Sequence, residues 1–173
     1  EASDLAGEVD FGAGKGRDLG GRGHRISWPP VLSTAASRNI ERAGDNLPGV
    51  MSLELKRPLA FFDLETTGTD PLRDKIVEIA VVRIDPGGGR EAATRRLHPE
   101  RPIPAEATAV HGIRDEDVAN APTFRQSARS LLDVFKDADL AGFNVRRFDV
   151  PLLDREFRDC ALDLALSSRR IVD

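Results

Sequence analysis

The chain has 173 residues, a formal net charge of −4, 40% hydrophobic residues and 31% charged residues. That length buries one substantial core, the composition is that of a globular domain, and no apolar run nears the ~20 residues of a membrane span. The acidic balance argues against a module that holds nucleic acid mainly by neutralising phosphates, but it leaves metal-dependent chemistry open, because metal-holding acids themselves add negative charge.

Residues 1–50 stand apart. AGEVDFGAGKGRDLGGRGHR is rich in Gly, Arg and Asp with neither a strand nor a helix period. A Pro-Pro pair, a short helical stretch around 35–43 and a Pro-Gly break follow. Such composition buries too little surface to offset its ordering entropy, so this segment is expected to be mostly disordered. Met51 is the only methionine and the chain begins at Glu1. The expectation is that Met51 is the natural start and that 1–50 is a non-native upstream segment, with a partial catalytic domain over 51–173.

After Met51 the pattern is regular. LAFFDLE (59–65) and the β-branched IVEIAVVRI (76–84) read as strands. DPGGGR (85–90) is a hairpin turn leading to a third strand near 92–97, which predicts an antiparallel meander. EATAVHGI (106–113) predicts a short helix. In APTFRQSARSLLDVFKD the residues Phe124, Ala128, Leu131, Leu132 and Phe135 fall at helical spacing, with Thr123 as N-cap and Gln126 completing a capping box. DLAGFN (139–144) predicts a short strand, FDVPLLDREF (148–157) a helix, and RRIVD (169–173) the start of another strand. The fold class is therefore α/β: three antiparallel strands, then parallel strands, with flanking helices.

Candidate chemistry centres on FFDLETTG. Residues two apart in a strand share a face, so Asp63 and Glu65 present neighbouring carboxylates while Phe62 and Leu64 point into packing. In a buried strand two such acids would repel, and a divalent cation relieves the conflict. Oxygen-only ligands suit Mg²⁺ or Mn²⁺. Gly68 and the threonines end the strand, placing the acids where open α/β sheets hold ligands. Asp149, in GFNVRRFDVPLLDREF, stands in the first turn of the following helix, with Gly142 closing the strand before it. Cys160 is the single cysteine, so no internal disulfide forms, and it is read as a small apolar residue. With no basic-then-apolar leader, the expected setting is cytoplasmic.

FFDLETTG followed by GFNVRRFD resembles the DEDD family of 3′–5′ exonucleases, typified by the proofreading epsilon subunit of bacterial DNA polymerase III. The hairpin IVEIAVVRIDPGGG and the loop VHGIRDEDV (110–118) come in the order of that family, and the match runs from about Leu55 to Asp173. The resemblance implies a ribonuclease-H-like fold and phosphodiester hydrolysis with two divalent ions, Mg²⁺ or Mn²⁺, about 3.5–4 Å apart. By motif position it makes Asp63, Glu65 and Asp149 catalytic and metal-holding. It sets Thr66 and Thr67 against the 3′-terminal nucleotide, through their backbone, and Asn144 and His111 on the substrate side. Asn144 lies five residues before the acid, where the family commonly has four.

The family's fourth acid, with a histidine or tyrosine shortly before it, belongs to a third motif that these 173 residues do not contain. None of His24, His98 and His111 matches it. The expectation is a chain truncated before the third motif, continuing past Asp173 when complete. Loss of a general base would cost about 10²–10⁴ in rate, and a missing helix would leave apolar sheet surface uncovered. The form of the first motif favours single-stranded DNA over RNA as substrate and a DNA polymerase as partner. The competing reading is a non-catalytic nucleic-acid or polymerase-partner binding module.

Overall fold

A computed structural model of the chain describes residues 54–173, so the expectations for residues 1–50 lie outside the described residues. Strands β1 (Leu59–Thr66), β2 (Ile76–Ile84) and β3 (Arg90–Arg96) form the expected antiparallel meander. At its turn the Asp85 amide donates to the Gly89 carbonyl at 2.8 Å and the Gly88 amide to the Asp85 carbonyl at 2.9 Å. Gly88 has φ +81°, a left-handed conformation that glycine adopts without steric cost. Strands β4 (Asp139–Ala141) and β5 (Ile171–Val172) then add in parallel beside β1, giving the order β3-β2-β1-β4-β5. The strand that carries Asp63 and Glu65 is thus the centre of the sheet, bonded on both sides.

One face of that sheet carries the core. Phe62 and Leu64 of β1 oppose Val81 and Ile79 of β2, and all four are buried. Two helices cover them, α3 (Phe124–Val134) and α4 (Asp149–Asp159). Helix α3 starts as its sequence dictates: Thr123 Oγ1 accepts from the Gln126 amide at 3.2 Å, and Gln126 Oε1 accepts from the Thr123 amide at 2.8 Å. Four aromatic rings tie the layers together. Phe135 meets Phe62 and Phe157 edge-on, with ring centroids 5.4 and 6.5 Å away, and Phe124 meets Phe157 at 5.1 Å. Cys160 is half-buried against this core, with burial pushing its thiol pKa up.

A second, smaller apolar cluster joins Val77 to Ile103, Ile113 and Val118. It includes residues next to or within α1 (Ala105–His111) and α2 (Asp115–Val118). Helix α2 differs from the expected loop over 110–118. Three acids in its first turn suit the positive end of the helix dipole. Asp117 Oδ2 also accepts from the Arg114 amide at 2.9 Å, and Asp115 Oδ1 from the Ile103 amide at 2.9 Å. Side chains that look like surface charge in the sequence therefore fasten this turn to the rest of the domain.

The remaining sheet face is more open. Phe61 is 42% exposed, Asp63 is exposed and Ala80 and Val82 are half-buried. Among the described residues, no helix is long and apolar enough to cross a membrane.

The aromatic contacts make a direct stability test. Phe135→Ala removes a fully buried ring that bridges Phe62 and Phe157 and is expected to cost about 3–5 kcal/mol in urea unfolding. Val110→Ala, at an exposed helical position, should change stability by less than about 0.5 kcal/mol. Equal effects at the two positions would contradict this account of the core.

Candidate active site

The three acids converge on one end of the central strand from two elements. β1 delivers Asp63 and Glu65, and α4 delivers Asp149 as its first residue. The approach of the two elements is close because the residue after β4 is Gly142. A methyl group there would stand 2.7 Å from the Phe62 carbonyl oxygen and would also overlap Val145. Only a glycine lets the chain leave β4 against β1 and turn into α4 at this distance.

The burial of the acids corrects one expectation. Asp63 is exposed and Glu65 half-buried, whereas a buried pair was expected from the apolar run around them. The apolar neighbours Phe62 and Leu64 do pack inward, but the face the acids share is open. The buried acid is Asp149, which is 6% exposed. Its pKa is pushed up to about 6 from an ordinary 3.8, chiefly by burial and also by the charges of Asp63 and Asp173. Backbone hydrogen bonding at Asp149 and Leu64 offsets part of this rise. Glu65 is likewise raised, first by burial and then by Asp63, with attraction to His111 opposing. Asp63 therefore lies within electrostatic reach of each of the other two acids.

Asp63 disfavours the ionised forms of both Glu65 and Asp149, and hard oxygen donors placed in this way fit Mg²⁺ or Mn²⁺. Donor chemistry thus fits a divalent cation. Side-chain convergence is less complete: among the described residues, no group of three or more His, Cys, Asp or Glu side chains is drawn together as a finished metal site.

The strand end that follows the acids is heavily fastened. Thr66 and Thr67 are buried, and their hydroxyls are spent inside the loop. Thr66 Oγ1 donates to the Gly68 carbonyl at 2.6 Å and Thr67 Oγ1 donates to Asp74 Oδ1 at 2.9 Å. The Lys75 amide donates to Thr67 Oγ1 at 3.0 Å, the Thr67 amide to the Lys75 carbonyl at 2.9 Å, and the Asp70 amide to Asp74 Oδ2 at 2.8 Å. Gly68 is needed here, because a Cβ would overlap the Asp74 carboxylate. His111 reaches the same place from α1. Its Nδ1 accepts from the Ile113 amide at 3.0 Å, which leaves the proton on Nε2 to donate to the Thr66 carbonyl at 3.2 Å. With both ring nitrogens engaged, His111 braces the strand end. Asn144 lies in the loop before α4, exposed and with φ +54°. His98 is distant in role, its Nδ1 accepting from the Glu100 amide at 3.0 Å.

Several residues that sequence reasoning passed over hold this arrangement. Glu156, buried on α4, accepts from Lys75 Nζ at 2.8 Å and from the Arg155 guanidinium at 2.6 Å. Arg155 also donates to the Pro71 carbonyl at 2.8 Å and to the Asp74 carbonyl. The helix that supplies Asp149 thereby grips the loop that follows Glu65. Only the alternation of charge in DREFRD hinted at such a role, and nothing in it points to residues 71–75.

Comparison with known proteins follows from this geometry. Residues 60–170 match the Exonuclease (RNase_T) family. The chain is 40% identical over 120 residues to a DNA polymerase III subunit epsilon-like protein of Rhodobacter capsulatus, covering 68% of this chain and 17% of that protein. It is 33% identical over 116 residues to the DNA polymerase III subunit epsilon of Escherichia coli, covering 62% of this chain and 46% of the relative. The chain thus spans less than half of each of these two relatives. A crystal structure of E. coli exonuclease I in complex with a dT13 oligonucleotide superposes with a TM-score of 0.60 at 21% identity, over 67% of this chain and 27% of that one. That likeness bears on the fold, which is ribonuclease-H-like, with the meander and parallel additions expected from the sequence.

The raised pKa of Asp149 gives a pH test. An acid with a folded pKa of about 6 against an unfolded value near 3.9 stabilises the fold when protonated, so its contribution is intact below about pH 4 and is lost as pH rises through 6. In chelator at pH 8, Asp149→Asn should be more stable than the parent by about 2–3 kcal/mol, and the gap should close by pH 4. Urea midpoints across that range read it, and a gap independent of pH would refute the assignment.

Proposed function

Because the chain belongs to the exonuclease (RNase_T) family, we propose that it is a metal-dependent 3′–5′ exonuclease releasing mononucleotides from nucleic-acid 3′ ends, single-stranded DNA foremost. Asp63, Glu65 and Asp149 are its catalytic and metal-holding acids. The observation that supports this reading is the placing of acids from β1 and α4 near one another at the end of a central strand, with Asp63 raising the pKa of both other acids. Divalent ions bound there would supply charge stabilisation and an activated water.

The remaining roles fall to this chain's own groups. Asp149, fixed at the first turn of α4 and inside the domain, holds its carboxylate still against Asp63. His111 and the Thr67–Asp74 clasp keep the strand end rigid, so that a 3′-terminal nucleotide laid along Thr66 and Thr67 meets a preformed edge. Neither ring nitrogen of His111 is free to take a proton, and the histidines of the described residues offer no other base beside the acids. These residues should therefore hydrolyse slowly on their own. The names of the relatives, which are subunits of DNA polymerase III or like one, support a DNA polymerase as partner.

A second reading draws on the incomplete convergence of ligands among the described residues: a nucleic-acid or polymerase-partner binding module without hydrolysis. One assay separates the two. A 3′-labelled single-stranded DNA oligonucleotide is incubated in Mn²⁺ or Mg²⁺ with the chain and with Asp63→Ala. The exonuclease reading expects metal-dependent release of labelled mononucleotide, reduced at least about a hundredfold in the variant, the upper end for disturbing a metal site. Release by neither protein supports the binding module instead, and equal release by both refutes the role given to Asp63.

A further inference from the structure

The loop joining β4 to α4, residues 142–148, carries side chains that the roles above leave unused. Phe143 is 95% exposed, more than any other exposed large apolar side chain among the described residues. A single apolar side chain on a surface is ordinary. Three further observations make this one unusual.

The loop is fixed. Val145 is buried and its carbonyl accepts from the Val150 amide at 2.9 Å, while the Asn144 carbonyl accepts from the Arg147 amide at 3.2 Å. The Arg146 guanidinium donates to the Ile171 carbonyl, which ties the outer side of the loop to β5. Phe143 is therefore held out by a braced turn, with Asn144 in the left-handed conformation at its side. The loop also presents a spare cation, since Arg147 is exposed and its guanidinium makes no hydrogen bond or ion pair among the described residues. Finally, the loop starts at the acids: Gly142 lies against the Phe62 carbonyl, one residue before Asp63, and the loop ends at Asp149.

An aromatic face and an unpaired guanidinium on a rigid loop beside phosphodiester-cleaving acids match the chemistry of an unpaired strand. Every base has a π-face that an aromatic ring can cover, and every linkage has a phosphate that a guanidinium can neutralise. Bases inside a duplex are already stacked and offer no such face. We propose that residues 143–147 form a grip for single-stranded nucleic acid, in which Phe143 stacks on a base near the 3′ end and Arg147 contacts the adjoining phosphate. The grip selects unpaired over paired ends without reading sequence. It rests on the exonuclease reading for the position of the reacting end.

The test uses the full chain and fluorescence anisotropy at low salt, with Ca²⁺ replacing Mg²⁺. One probe is an oligothymidylate of about twelve nucleotides, within the range of single-strand site sizes; the other has abasic sites at its 3′ end. The parent should bind the first probe about tenfold more tightly, in the range that one stacked base contributes. Phe143→Ala should lose that preference and Phe143→Trp should keep it. Arg147→Ala should weaken both probes alike and lower the salt slope by about one. Phe143 is exposed, so the Phe143→Ala protein should unfold at the parent's temperature, which excludes misfolding as the cause.

A parent without preference for bases, or a Phe143→Ala protein that retains it, overturns the grip. So does a Phe143→Ala protein altered only in its sedimentation, which would mark the loop as a contact between proteins. Hydrolysis that depends on Asp63, with binding indifferent to Phe143, overturns the grip and spares the exonuclease reading. Binding that depends on Phe143, with no hydrolysis in any metal, does the reverse.

Discussion

Carboxylates that repel one another have to be held together by something other than their own interaction, and the rest of this domain is arranged around that requirement. Asp149 is the sharpest case, an acid kept inside the protein with Asp63 and Asp173 acting on it electrostatically. A shift of that size opposes folding whenever the group is ionised. The opposing force comes from apolar packing on the far side of the same elements. β1 buries Phe62 and Leu64 on the face away from Asp63 and Glu65, and α4 buries Leu152, Leu153 and Phe157 behind Asp149. Each fully buried side chain of that kind contributes roughly 1.5–3 kcal/mol, so a few of them outweigh the electrostatic cost and fix both elements in place.

Packing alone sets the elements, and a polar layer sets the strand end. Thr67 and Asp74 clasp the loop after β1, His111 braces the Thr66 carbonyl from α1, and Arg155 with Glu156 reaches from α4 to residues 71–75. Glu156 is buried between two cations, and removing one partner of such a group commonly costs more than the pair adds. The consequence is mechanical: the element bearing Asp149 and the loop following Glu65 move together or not at all. The hydrolysis proposed for this site needs that coupling, because displacements of about 1 Å already reduce rates steeply.

Much of this was legible before any coordinates. The apolar run at 59–65, the β-branched run at 76–84, the glycine turn at 85–90 and the helical spacing of Phe124, Ala128 and Leu131 are local signals, and the elements they imply are present. The capping box at Thr123 and Gln126 formed because both partners lie within one turn. The failures are of another kind. A strand period tells which residues share a face but not which face is covered, so Phe61 and Asp63 turn out exposed although the run around them is apolar. Helix α2 was missed because its stability comes from Asp115 and Asp117 binding amides at 103 and 114, which a reading of DEDV as surface charge does not reveal. The Arg155 and Glu156 contacts span about eighty positions, and no local pattern encodes them.

Between Asn144 and Asp149 the chain folds into a tight turn. Asn144 takes up the left-handed conformation, and the Arg147 amide turns back to its carbonyl. Asn has a lower penalty there than most residues, since its short polar side chain tolerates that region. With the chain turned back in this way, Val145 reaches the core and Asp149 opens α4. On the outside of the turn, Phe143 and Arg147 are left facing solvent. A domain that fixes its reacting groups through the core can vary such a loop freely, and the loop is where differences in substrate grip between related enzymes would accumulate.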